Sequence, residues 1–241
     1  MNGLYPLVKR EFMGYFRTPI AYVFLAVFIV ASVSLTWFLG GFFESNHASL
    51  ERFFVFVPWV FLFLIPAVGM RLWSEEKRSG TWELLFTYPI TVTQAVLAKF
   101  LAAWAFIGIG VACTFTLPIT VAYLGDPEWG PVLSGYLGTL LMAGAYLSVC
   151  SLASALTKNQ VIAFVIGLVT CLVLVFLGWS VFNSLLLNLG LPVWLVDGLA
   201  NFSFITHFEY FTRGLVTVRD ILFFLTVMAG SLWLNIIVLE R

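Results

Sequence analysis

Apolar residues along this chain fall into long uncharged blocks separated by short polar breaks. The first block covers 20–43, and Thr18-Pro19 ahead of it reads as a helix start, with threonine at the N-cap and proline at the first helical position. Block two, 53–70, is rich in Phe and Val and holds Pro58 and Pro66, each expected to bend a helix. The third runs from about 95 to 124 with a break expected near Pro118, the fourth covers 132–157, the fifth about 161–182 and the last 221–239. About 20 apolar residues in a helix cross a hydrocarbon layer of about 30 Å. Six membrane-spanning helices are therefore predicted, and the expected fold class is an all-α integral membrane protein, one domain over 1–241. A cleaved signal peptide does not fit the first block, which is long and lacks an A-x-A-like cleavage site.

Between the fifth and sixth blocks, the stretch 183–219 is too long for a turn and too apolar for a solvated loop. Gly190-Leu191-Pro192 breaks any helix through it. Two short interfacial or re-entrant helices are expected there, with Trp179 and Trp194 at headgroup level. A seventh full span is the alternative, and it would put the two chain ends on opposite sides. Lys and Arg are retained on the cytoplasmic side of a membrane. In the six-span arrangement Lys9, Arg10, Arg17, Arg71, Lys77, Arg78, Lys99, Lys158 and Arg241, nine of the twelve basic residues, share one side. Both termini and the segment 71–94 are thus expected in the cytoplasm, and 183–219 outside it.

Composition agrees: 61% hydrophobic residues, 10% charged residues and a mean hydropathy of +1.02 exceed what a water-soluble core needs. Net charge is zero with scattered basic residues, so no nucleic-acid footprint exists. The central parts of the spans hold no ionisable group, which argues against an ion-driven carrier or channel. The two histidines, His47 and His207, lie in outside segments, His207 with an expected interfacial hydrogen bond, so an intramembrane enzyme lacks its base or metal ligands. Cys113, Cys150 and Cys171 show no CxxC pairing and read as core residues. Polar groups inside the spans are mild. Ser148, Ser151 and Ser154, with Gly144 and Ala155, have the spacing of small-residue helix packing. The other reading makes Thr114, Thr116, Ser148 and Ser151 the lining of a translocation path. No GxxxxGK[ST] loop occurs, so the chain has no P-loop of its own, and energy for uphill work would enter through a partner.

One stretch, "RLWSEEKRSGTWELLFTYPITVTQ" at 71–94, gathers six of the 24 charges. Its local signals predict a helix to Ser79, a left-handed stop at Gly80, a short helix over 82–87 capped by Thr81, and a stop at Pro89. Trp82, Leu85 and Phe86 share one face of that short helix. Thr91-Val92-Thr93-Gln94 matches a capping box ahead of the third span. A loop that only solvated its charges would not need this aromatic face, so the segment reads as a docking element. At the N-terminus, Leu4, Val8, Phe12 and Tyr15 form a helical stripe, and 1–18 is expected as an amphipathic helix on the inner membrane surface.

The motif "SEEKRSGTWELLFTYPIT" resembles the cytoplasmic loop between spans two and three of ABC-2-type transporter permeases. The stretch "FITHFEYFTRGLVTVRDILFF" is similar to the segment before the last span in the gliding-motility-type branch of that family. The resemblance implies a permease subunit of the bacterial inner membrane, working as an exporter. It pairs with itself or a sibling, carries two cytoplasmic ABC ATPase subunits and accommodates an auxiliary membrane subunit with an extracytoplasmic domain. ATP and Mg2+ would belong to the ATPase, with no cofactor on this chain. By the same resemblance 71–94 is the coupling helix segment: Glu75 and Glu76 face basic residues of the ATPase, Gly80 and Thr81 form the turn, Trp82, Glu83, Leu84 and Leu85 insert, and Pro89 ends the element. Trp82 departs from the small or aliphatic residue that often follows Gly-Thr there. The alternative function is a non-transporting membrane scaffold that recruits a cytoplasmic partner through the same loop.

Overall fold

The computed structural model describes residues 4–39, 49–80, 91–125 and 127–240, and those residues are folded almost wholly as helices. The first helix, α1 (Leu4–Phe16), is followed by α2 (Pro19–Ser34), which ends in a π turn over Leu35–Leu39. Thr18 has the extended backbone of an N-cap, but its hydroxyl donates to the Tyr15 carbonyl at 2.9 Å and caps nothing. Next come α3 (Glu51–Gly69), α4 (Arg71–Ser79), α5 (Val92–Cys113), α6 (Thr116–Leu124), α7 (Trp129–Ala155) and α8 (Gln160–Phe176). The chain closes with α9 (Ser180–Asn188), α10 (Val193–Ala200), α11 (Phe204–Thr212) and α12 (Val218–Glu240).

Five helical stretches among the described residues are long and apolar enough to cross a bilayer, and α8 with α9, bent by 74°, makes a sixth if the pair counts as one span. The six expected spans are met on that reading, with α3 and α4 joined as one and α5 and α6 as another. With α9 counted in the bent fifth span, the segment before the last span holds two short helices, α10 and α11, the number expected. Glycine at 190, with φ of +87°, makes the break between α9 and α10 in a conformation that residues with a Cβ rarely adopt.

Helix α7 is the centre of the bundle, packed against α3, α5, α8, α11 and α12. Every residue from Met142 to Ser151 is buried, which leaves no polar face and requires neighbours on all sides. Small residues allow that closeness. A Cβ on Gly138 would lie 2.7 Å from the Phe211 side chain, and one on Gly144 would lie 2.5 Å from the Met228 sulfur.

Backbone groups freed by helix breaks are taken up by side chains, as a lipid environment demands. Pro118 has no N–H for the carbonyl four residues earlier. The helix accordingly breaks at Thr114-Phe115, four residues ahead of the proline and not at it, and the Thr114 carbonyl accepts from the Tyr136 hydroxyl at 3.0 Å. The Tyr146 hydroxyl donates to the Pro58 carbonyl at 3.2 Å, and the Trp104 indole N–H donates to the Leu140 carbonyl at 2.9 Å.

Candidate functional site

The end of the bundle at which 71–94 lies is held by a break at Met70, between α3 and α4. A new helix start leaves N–H groups without carbonyl partners. Ser154, near the end of α7, supplies the missing acceptor: its Oγ takes the Trp73 N–H at 3.1 Å and the Ser74 N–H at 3.0 Å, and donates to the Met70 carbonyl at 2.7 Å. Trp73 is fully buried. Its indole N–H donates to Ser151 Oγ at 3.2 Å, and Asn235 Nδ2 of α12 donates to the same oxygen at 2.7 Å. Further along α4, the Lys77 ammonium donates to the Ala155 carbonyl. Helix α4 is therefore bolted to α7 along its length.

A second set of contacts joins the two stems of the segment. Glu76 Oε1 on α4 meets Lys99 Nζ on α5 at 2.6 Å. The same ammonium lies 3.4 Å from Glu11 Oε2 on α1 and 5.2 Å from the centre of the Trp73 ring. Lys99 is buried, with 8% of its side chain exposed. A buried ammonium requires such partners, since desolvating it alone costs several kcal/mol, roughly. Burial raises the Glu11 pKa, but Lys99, with help from Arg10, outweighs burial and holds this carboxyl below its ordinary value. A cavity of about 240 Å³ opens beside the cluster, walled by Tyr15, Arg71, Glu75 and the three charged groups just described.

The local signals at the stems match the sequence. Gly80 closes α4 with φ of +72°, in the left-handed region where glycine is unstrained. Thr91 Oγ1 accepts from the Gln94 N–H, and Gln94 Oε1 accepts from the Thr91 N–H, both at 3.3 Å, a complete capping box. Helix α1 lays Tyr15 flat on Phe106 of α5 with ring centres 4.9 Å apart.

Of the residues singled out from the sequence, Glu75 is exposed on α4, whereas Glu76 is turned inward and paired within the chain. Thr81, Trp82, Glu83, Leu84, Leu85 and Pro89 lie outside the described residues. Ser148 and Ser151 are buried inside the bundle, Ser148 bonded to the Ala145 carbonyl of its own helix and Ser151 to Trp73 and Asn235. Thr114 is buried at the α5–α6 break, and Thr116 is exposed. Lys99, Trp73 and Asn235 escape a reading by sequence. Lys99 and Asn235 are single polar residues in apolar runs and Trp73 is one aromatic residue at the edge of the charged stretch, and only Asn235, an uncompensated amide in a span, carries a signal of its own.

At the opposite end, His207 of α11 is buried against α12. Its Nδ1 lies 2.6 Å from Asp220 Oδ1, its Nε2 lies 2.9 Å from the Asn201 carbonyl, and its ring stacks on Phe223 at 3.9 Å. A carbonyl can only accept, so the Nε2 N–H donates to Asn201, and Nδ1 faces the Asp220 carboxyl. Thr217 donates its hydroxyl to the second Asp220 oxygen.

A comparison with protein families matches residues 43–239 to the ABC-2 family transporter protein. No curated protein matches the chain. The match covers most of the chain, and it includes α3 to α12 together with the segment 71–94. Multiple apolar helices and this match make the chain a multi-pass membrane protein, a transport subunit and not itself the ATPase that such permeases in general work with. The chain belongs to the ABC-2 family of transporter proteins.

Proposed function

We propose that this chain is the membrane-spanning half of an ATP-driven exporter of the bacterial inner membrane, with both termini cytoplasmic, and that its segment 71–94 receives the ATPase. Two ATPase subunits dock on a pair of membrane subunits, either two copies of this chain or this chain and a sibling of the gliding-motility-type branch. ATP and Mg2+ reside in the ATPase. Nucleotide-driven closure of the ATPases moves the docked segments, and the seam between the membrane subunits changes the side to which it opens. An auxiliary membrane subunit with an extracytoplasmic domain completes the assembly.

The observation that carries this reading is the mounting of the segment. Its entry helix is fixed to α7 through Ser154 and Ser151, and its two stems are joined by Glu76 and Lys99. A force that reaches Gly80 or Thr91 enters helices already joined to each other and to α7. Glu75, exposed on α4, is placed to meet a basic residue of the partner, while Glu76 serves the internal clamp. Thr116 is the exposed member of the proposed path, on a face that a second membrane subunit can reach.

Purification of the chain with its native partners tests the proposal. A Walker-motif ATPase at a one-to-one ratio is expected, together with loss of membrane-subunit-stimulated ATP hydrolysis in the Glu75→Lys/Glu83→Lys variant while membrane insertion is unchanged. A partner that hydrolyses no ATP would make the chain a scaffold, and full stimulation in the variant would remove these glutamates from the docking surface.

A further inference from the structure

At the end of the bundle away from 71–94, two adjoining cavities of about 230 and 100 Å³ share Thr206 and Tyr210 as common walls. Two carboxylates reach them, and both already have partners within the chain. Asp220 is held by His207 and Thr217, and Glu209 by Arg213 one helical turn away. The cation that remains is Arg219. Its Nη2 donates to the neutral Asn201 Oδ1 at 2.7 Å, and among the described residues no carboxylate pairs with it. The Thr206 and Tyr210 hydroxyls make no hydrogen bond among the described residues, and Tyr210 is 45% exposed. The cavity thus offers one guanidinium without a carboxylate partner and one exposed tyrosine hydroxyl, and among the described residues no unpaired carboxylate lines it.

Beside Arg219 the surface changes character. Val218, Leu222 and Leu225 are exposed and follow one another down a single face of α12, continued by Trp233. In a membrane chain such a stripe faces acyl tails.

We infer that this cavity binds the headgroup of an anionic phospholipid. The phosphodiester lies on Arg219, whose fork of N–H groups suits a phosphate, with the Tyr210 hydroxyl donating from the cavity wall. An acyl chain runs along Val218, Leu222 and Leu225. A headgroup that also carries an ammonium is disfavoured, because both carboxylates that could receive it are occupied. The His207–Asp220 pair is the positioning element: it withdraws Asp220 from Arg219, its neighbour in sequence, and leaves the guanidinium for the lipid. The lipid site is independent of ATPase docking.

The test uses the full chain in nanodiscs of phosphatidylcholine with a minor share of phosphatidylglycerol, followed by native mass spectrometry of the retained lipids. Phosphatidylglycerol should be enriched about fivefold over its bulk share, the ratio that roughly 1 kcal/mol of a partly exposed ion pair gives. Arg219→Gln should return retention to the bulk share, and Arg219→Lys should keep most of the enrichment, which separates loss of the cation from misfolding. Arg52→Gln, at the same end but outside the cavity, should leave it unchanged. Equal retention of the two lipids by the wild-type chain, or undiminished enrichment in Arg219→Gln, would overturn the proposal. So would displacement of phosphatidylglycerol by inorganic phosphate alone, which would make the cavity a free-anion site.

Discussion

Glu76 and Lys99 meet at 2.6 Å, one on the helix that leads into the segment 80–91 and the other on the helix that leads out of it. Removing one member of such a pair leaves charge stranded in a poorly solvated place. In Lys99→Met the carboxylates of Glu11 and Glu76 would face each other with no cation between them, and a loss of about 3 kcal/mol is expected. Glu76→Gln combined with Lys99→Met should lose less than the two single losses added together. Thermal unfolding of the four proteins in one detergent measures this, and strictly additive losses would show that the pair contributes nothing.

Ser154 offers a sharper contrast. Its hydroxyl serves two backbone N–H groups and one carbonyl at the start of α4, whereas the Ser148 hydroxyl serves only a carbonyl of its own helix. Ser154→Ala should cost about 1–3 kcal/mol, since it leaves buried donors without partners. Ser148→Ala should stay within about 0.5 kcal/mol. Equal effects would mean that water or backbone movement replaces Ser154.

Gly138 tests the packing of α7 on α11. A Cβ there would sit 2.7 Å from Phe211 Cβ, close to the backbone and unable to swing aside. Gly138→Ala is expected to destabilise by about 1–3 kcal/mol through overpacking. Gly230→Ala, which meets nothing within 4 Å, should not lower stability. Matching melting curves for the two variants would contradict the contact between α7 and α11.

Acidity should loosen α1. Because the Glu11 pKa in the folded chain lies below its ordinary value, its contribution is complete above the unfolded value of about 4.3 and is lost as pH falls through the depressed folded one. Protection factors of α1 amides, each referenced to the intrinsic exchange rate at the same pH, should fall in that acidic window relative to neutral pH. In Glu11→Gln the acid-induced step should be absent, with weaker protection already at neutral pH.

Local chemistry in the sequence already discloses much of this end of the protein. The left-handed stop at Gly80, the capping box at Thr91 and Gln94, and the helix before Ser79 all depend on residues within a turn or two of one another. What pairs across the bundle does not. Lys99 meets Glu11 from 88 positions away, and Asn235 meets Ser151 from 84 away; periodicity tells which face a residue occupies, not which helix will lie against it. Pro118 shows the intermediate case. The residue announces a break, but the break falls where its missing N–H is felt, at Thr114. Likewise the stretch between the last two spans reads as broken at Gly190, and the further stop near Asn201 is followed by a cap in which Ser203 Oγ accepts from the Ile205 N–H.

The clamp between Glu76 and Lys99 also bears on the cost of recognition. A loop whose two ends drift must be gathered when it is gripped, and the entropy lost in gathering it is subtracted from affinity. Here the ends at Gly80 and Thr91 spring from helices already held together by one buried ammonium. The segment is preorganised at its base, so a partner that seizes it spends little on ordering those ends, and a push is delivered to α1, α4 and α5 as one body.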